Sequence, residues 1–241
     1  MTAAKKTVTA MTLAGALLFL AADITAGETT VPRVIETTVA AHELTAMMLD
    51  ARVGEVELEA YDADTILVHI ELDHADSIFG DRATRAAIAS AELVQERNGK
   101  SLELRLHYPK GDSDDVREHW QIKVPARFAV EADMAVGELR IRGVRGGVVA
   151  DLGVGDVDID VPAGRIEAEV SVGDLSIHSA TPSPGRITLE ASVGDVSLAL
   201  DGQRVPVERG FGPGAEIMVA KDGSDSIDAS VSVGNLSVTV D

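Results

Sequence analysis

No cysteine occurs among the 241 residues, so the chain has no disulfide framework, no thiolate metal site and no lipoprotein-type attachment point. Aromatic side chains are scarce: four Phe, two Tyr and one Trp, of which Phe19 lies in an N-terminal apolar run. A sugar-binding face built on flat aromatic platforms therefore has little to draw on. Positive charge is also short, with 21 Lys and Arg against 40 Asp and Glu and a net charge of −19. That balance repels nucleic acid and anionic lipid and says nothing about fold. No nucleophile elbow, phosphate-binding loop or zinc-spaced His/Cys set is present. Long apolar runs are missing apart from Val8 to Ala22, which is too short for a comfortable membrane span. Lys5 and Lys6 precede that run and Ile24-Thr25-Ala26 follows it before Gly27, the pattern of a secretory signal peptide over residues 1–26. The expectation is an exported protein, periplasmic or associated with the cell envelope, with no stable membrane span after cleavage. Loss of Lys5, Lys6 and Asp23 leaves the mature chain at about −20.

What the chain has instead is a repeated phrase. Val148 to Ile159, Ile166 to Ile177 and Ile187 to Leu198 each read as strand, Val-Gly-Asp corner, strand. The corner glycines Gly155, Gly173 and Gly194 stand 18 and then 21 residues apart, at the short end of the repeat lengths that mark stacked architectures. Related corners occur at Gly54-Glu55, Gly137-Glu138 and Gly234-Asn235. A tight bend between strands needs positive φ, which glycine supplies, and the Asp or Asn beside it tolerates the bend and bonds its own backbone. Within each phrase apolar residues alternate, so Ile166, Ala168, Val170 and Val172 are expected on one inward face, with Leu175 and Ile177 resuming it after the corner. Five residues before the corner glycine the inward residue is Ala132, Ala150, Ala168 or Ala229, with Leu189 the exception, so the enclosed space is narrow there. One such unit cannot bury its own apolar face, and stacking completes the core. The expected fold is all-β: a single-stranded β-solenoid with rungs of about 18–21 residues, plus an N-terminal hairpin region and one short helix.

The flanking segments fit around that array. Val31 to Leu72 reads as strands. Arg82 to Ala89 reads as a short helix capped by Asp81. Ala91–Gln95 and Leu102–Leu106 flank Asn98-Gly99, which predicts a hairpin with those two residues as its loop, Leu93 facing Leu104 and Glu92 facing Arg105. A polar loop from Pro109 to Glu118 leads to a strand at Trp120–Pro125. Gly194 and Gly234 lie 40 residues apart, so one corner is missing; Asp201 to Gly214 reads as a projecting loop and Glu216–Val219 as a rung strand. The expected divisions are 1–26, an N-terminal β region at 27–126 and the repeat region at 127–241. Because the last corner is followed only by Leu236 to Asp241, the C-terminal rung is expected to be an open end, covered by the 201–214 loop or paired with another copy.

Candidate chemistry is thin. His69, Asp73, His74 and Asp76 could act as metal ligands only through a specific fold-back, and solvated surface is the preferred reading. His107, Tyr108, His119 and Trp120 bracket the polar loop, which is expected to pack on the hairpin. The corner residues Glu55, Glu138, Asp156, Asp174 and Asp195 could form a cation-collecting ladder at ~4.8 Å per rung. Turn chemistry is preferred, because hard cations need several converging oxygens. No catalytic, cofactor-binding or metal residue is assigned; the site residues proposed are the structural corners Gly54, Gly137, Gly155, Asp156, Gly173, Asp174, Gly194, Asp195, Gly234 and Asn235. Carbohydrate-active β-helices use carboxylates, which this chain has in abundance and which therefore discriminate nothing.

The corner phrases, the early copy at Val53-Gly54-Glu55, the Asn98-Gly99 hairpin and the Val124-Pro125 strand together resemble the bacterial DUF4097 family, β-strand-repeat proteins provisionally described as adhesins. The resemblance covers most of residues 30–241. It implies an exported or envelope-associated β-helix without an established catalytic site. The functional expectation is a non-enzymatic interaction or structural module with an envelope protein or glycan as partner, the alternative being a carbohydrate-active β-helix.

Overall fold

The computed structural model describes residues 32–74, 82–181, 184–207 and 213–241. The segment expected to be a signal peptide, the expected cap at Asp81, Asp76 and residues 208–212 lie outside them. The strands are β1 (Arg33–Ala40), β2 (Ala46–Tyr61), β3 (Thr65–His74), β4 (Glu92–Asn98), β5 (Ser101–His107), β6 (Val116–Pro125), β7 (Ala129–Arg142), β8 (Val148–Val161), β9 (Ile166–Val172), β10 (Leu175–Ser179), β11 (Pro184–Val193), β12 (Val196–Leu200), β13 (Gln203–Arg204), β14 (Ala215–Ala220), β15 (Asp225–Val233) and β16 (Leu236–Val240). Helix α1 spans Arg82–Ser90. Among the described residues the fold is all-β apart from that helix, one mixed sheet of sixteen strands.

Two ladders run through it and share the long strands. Before the corner glycines, the parallel order is β5, β2, β7, β8, β9, β15, β11. After them it is β6, β2, β7, β8, β10, β16, β12. Like residues face like: Ala132 pairs with Ala150, Ala150 with Ala168, and Ala168 with Ala229. Sequence order had placed Ala168 between Ala150 and Leu189; in space Leu189 comes one strand later, against Ala229.

That displacement reflects an inserted strand–corner–strand unit, or rung. β15 and β16, the last strands of the chain, lie between β9/β10 and β11/β12. The C-terminal rung therefore has hydrogen-bonded neighbours on both sides, which corrects the expectation of an open edge there. The edge left over belongs to the preceding rung. It is covered by antiparallel pairs, β14 along β11 and the two-residue β13 along β12. Glu216–Val219 is thus a strand as expected, but it runs antiparallel to β11 rather than as a rung. At the other end β3 and β1 extend the second ladder antiparallel from β6, the β4–β5 hairpin extends the first, and α1 packs against β3 and β6.

The hairpin register differs by one residue from the sequence reading. Asn98 pairs with Ser101 and Leu93 with Leu106, leaving Gly99 and Lys100 as the loop. Gly99 has φ 63° and Lys100 does not share its positive φ, so the turn takes glycine at its first central position instead of the Asn-Gly form. Val94, rather than Glu92, faces Arg105, which reaches Glu96 at 2.9 Å.

The core follows the alternation up to the corner. Ile166, Ala168, Val170, Leu175 and Ile177 are buried, as are their counterparts on β7, β8, β15 and β16. The valine immediately before each corner glycine is not. Val136, Val154, Val172, Val193 and Val233 are 41–47% exposed, against the inward facing expected of Val172 and its equivalents in the other phrases. The bend reverses the strand's facing one residue early, so residues such as Ser171 and Val172 both point outward before Leu175 turns in.

Candidate interaction surface

The corners stack directly. Gly54, Gly137, Gly155, Gly173, Gly234 and Gly194 have φ between 135° and 145°. A Cβ added at each would sit 1.7–2.0 Å from a backbone carbonyl oxygen of the adjoining corner, running from Glu118 through Gly54, Gly137, Gly155, Gly173 and Gly234 to Gly194. Glycine is required there twice over, by φ and by the approach of the next chain segment.

The corner carboxylates have a local task. Asp156 Oδ1 accepts the backbone N–H of Asp174 at 3.1 Å. Asp174 Oδ1 accepts both the backbone N–H and the side-chain amide of Asn235 at 2.9 Å. Each side chain thereby satisfies a donor on the following corner that the bend removes from the ladder. Among the described residues no group of three or more His, Asp or Glu is arranged to hold a metal ion.

Beside this column the outward face after the corner forms a shallow trough of about 450 Å³, with Glu138, Arg140, Asp156, Asp158, Asp174 and Ser176 on its walls. Arg140 closes one end by pairing with Glu55 and Glu138, with Glu57 at 3.7 Å; hydrogen bonding to Glu55 first, and then the neighbouring carboxylate charges, hold its proton more tightly. The face before the corner is more uniformly acidic. Asp50, Asp133, Asp151 and Glu169 follow one another across adjacent strands. The Asp133 carboxyl is raised above its ordinary value by burial and then by the charges of Asp151 and Asp50.

The histidines do not converge. His69 lies between Glu36 (2.9 Å) and Glu71 (3.1 Å), and those hydrogen bonds raise its pKa. Asp73 instead approaches His119 at 3.8 Å, and His119 also lies 3.8 Å from Glu55. His178 bridges Asp160 and Asp241, both at 3.0 Å, and its pKa is raised by the bond to Asp241 first and to Asp160 second.

The polar loop, expected on the hairpin, is held against α1. Trp120 is buried and His107 exposed, while the loop packs on α1: Asp112 N donates to Ala83 O, and the Gly111 backbone lies against the Ala83 carbonyl. Next to the loop stands a buried group that the sequence did not signal. Glu118 is 2% exposed and accepts from Tyr108 Oη (2.8 Å), Trp120 Nε1 (2.9 Å) and Arg52 N (3.3 Å). It occupies the corner level above Gly54, where the column of glycines ends. Burial, and then the Glu118 charge, push the Tyr108 hydroxyl pKa up, keeping it a donor. Glu118 therefore belongs to the scaffold.

No family model and no curated protein matches the chain. Among solved structures, it is similar to a provisionally assigned cell adhesion protein from Clostridium sporogenes ATCC 15579, at 14% identity over 88% of this chain and 100% of that one, with a TM-score of 0.53. That likeness shows the fold alone. A provisionally assigned adhesin from Bacteroides fragilis NCTC 9343 matches at 13% identity over 86% of this chain and 97% of that one, with a TM-score of 0.34.

Proposed function

We propose that the protein is an exported, non-enzymatic β-solenoid that serves as an adhesin-like interaction or structural module of the bacterial envelope. In this reading the two ladders are successive turns of one short-rung coil, with residues 27–126 as its entry region and 127–241 as the repeat array. The observation that carries it is the corner stack: glycines in near contact and carboxylates engaged on the next corner hold long outward rows of side chains at fixed spacing, which suits a rigid display surface. The likeness to a solved protein described as a cell adhesion protein points the same way. The Val8–Ala22 run supports export, and among the described residues no helix is long and apolar enough to cross a membrane. An envelope protein or glycan is the partner of this reading. The trough walls carry carboxylates, serines and Arg140 but no aromatic platform, so a carbohydrate-cleaving role receives no specific support. The test is affinity capture from envelope extract with the immobilised chain, read by mass spectrometry and by glycan analysis. Saturable recovery of a defined protein or intact glycan is expected; release of oligosaccharide fragments would overturn the non-enzymatic assignment.

A further inference from the structure

The exposed corner valines call for a separate account. Val136, Val154, Val172, Val233 and Val193 lie on consecutive rungs, exposed by 41%, 47%, 46%, 47% and 45%. At one rung per ~4.8 Å they form a strip about 19 Å long. The glycine and the carboxylate beside it make the corner; nothing in that geometry asks for an apolar side chain at a position that faces water. Contiguous exposed apolar surface on a soluble protein marks a contact site.

The surroundings of the strip define what fits it. On one side, three residues before each valine, stand Asp133, Asp151, Glu169, Ser230 and Glu190; on the other, two residues after, stand Glu138, Asp156, Asp174, Asn235 and Asp195. Four of five positions in each row are carboxylates, all of them exposed. Asp133, Asp151 and Glu169 of the first row face one another on adjacent strands, and burial, then the charges of Asp151 and Asp50, weaken the acidity of Asp133. Arg140 engages Glu138 at the β7 end and β15 carries Ser230 and Asn235, so the β8 and β9 rungs, with Asp151, Asp156, Glu169 and Asp174, make the most negative adjoining part of the strip.

We propose that this valine strip is a docking surface for a cationic polypeptide that lays apolar side chains along the valines and places lysines or arginines over the carboxylate rows on either side. This deepens the interaction-module reading and rests on it for its biological setting. A second copy of the chain is opposed by its own net charge of −19, and anionic lipid is opposed by the same rows.

The probe is a labelled synthetic 14-residue peptide with a leucine stripe flanked on both sides by lysines, titrated against the full chain by fluorescence anisotropy at 20 to 300 mM NaCl. Two controls accompany it: the same peptide with serine for leucine, and with glutamate for lysine. Val154→Thr, Val172→Thr and Val233→Thr together keep β-branching, and with it strand preference, while removing the apolar strip. They should weaken leucine–lysine binding at least tenfold with an unchanged melting temperature. Asp151→Asn with Glu169→Gln should weaken it and flatten its salt dependence. If the triple variant misfolds, single Val172→Thr, with one strip position changed, should still weaken binding measurably. Equal affinity for the serine–lysine peptide, undiminished binding by the threonine variants, or binding of the glutamate peptide would overturn the proposal. So would dimerisation of the chain through this strip in light scattering at high salt. Envelope capture that succeeds while the peptide fails removes this inference alone; oligosaccharide release removes the functional reading and leaves the peptide result standing.

Discussion

Replacing Gly173 by alanine tests the corner stack where it is tightest. The new Cβ would lie 1.7 Å from the Gly155 carbonyl oxygen, with the Gly155 carbon at 2.7 Å, at a residue whose φ is 143°. Ordinary contact is about 3.5 Å, so the rungs must part locally by roughly 1.5–2 Å. The backbone conformation costs of the order of 1–3 kcal/mol for a side-chain-bearing residue. Parting the rungs also strains bonds between the two corners, Val157 N to Asp174 O (3.0 Å) and Asp174 N to Asp156 Oδ1 (3.1 Å). At about 0.5–1.5 kcal/mol for each of the two bonds if lost, the total reaches roughly 2–6 kcal/mol, a large part of the 5–15 kcal/mol that about spans the stability of single domains. Gly99→Ala is the control: its φ is 63°, but nothing lies within 4 Å of the added atom, so only the left-handed backbone cost of about 1–2 kcal/mol applies. Urea denaturation of the full chain, with a common slope, reads both as midpoint shifts. A Gly173→Ala shift no larger than that of Gly99→Ala would refute the close approach of successive corners.

Three further outcomes are expected. Ala168 is buried between Ala150 and Ala229, so Ala168→Phe should cost about 1–3 kcal/mol or more by overpacking, whereas exposed Glu167→Phe should change the melting temperature little; equal shifts would mean that the faces are misassigned. His178 has a folded pKa raised by Asp241 and Asp160, so its stabilisation is fully present below its unfolded pKa of about 6.5 and is lost as pH rises through the folded value. His178→Gln should narrow the melting-temperature difference between pH 5.5 and 8.5, and an unchanged difference would exclude the clamp. A chain ending at Ser224 lacks Ile227, Val231, Leu236, Val238 and Val240, all buried, at about 1.5–3 kcal/mol each. It should fail to give a cooperative melt alone and regain one when a peptide of residues 225–241 is added; a wild-type melt without the peptide would refute the inserted rung.

Much of the architecture was legible from local pattern. The Val-Gly-Asp phrases located the corners, because positive φ is a property of one residue and its immediate backbone. The narrow alanine row through Ala132, Ala150, Ala168 and Ala229 was visible because a period of two places like residues on one face. The hairpin was found but its loop was set one residue early, since Gly99 serves either form of turn and only the pairing of Asn98 with Ser101 decides between them. The facing of Val172 was missed because the bend, not the alternation, sets it. Glu118 was missed because its burial depends on Tyr108, Trp120 and the Arg52 backbone converging from three parts of the chain. The order of the rungs is the deepest of these differences. Each repeat presents nearly the same edge and the same apolar columns, so local sequence is almost indifferent to which repeat lies beside which. Only the return of the chain through β13 and β14 carries the last phrase back between β9/β10 and β11/β12. Local residue pattern is enough to specify a rung; which rungs become neighbours is set only in the folded chain, because it rests on where the connections run and which edges remain to be covered.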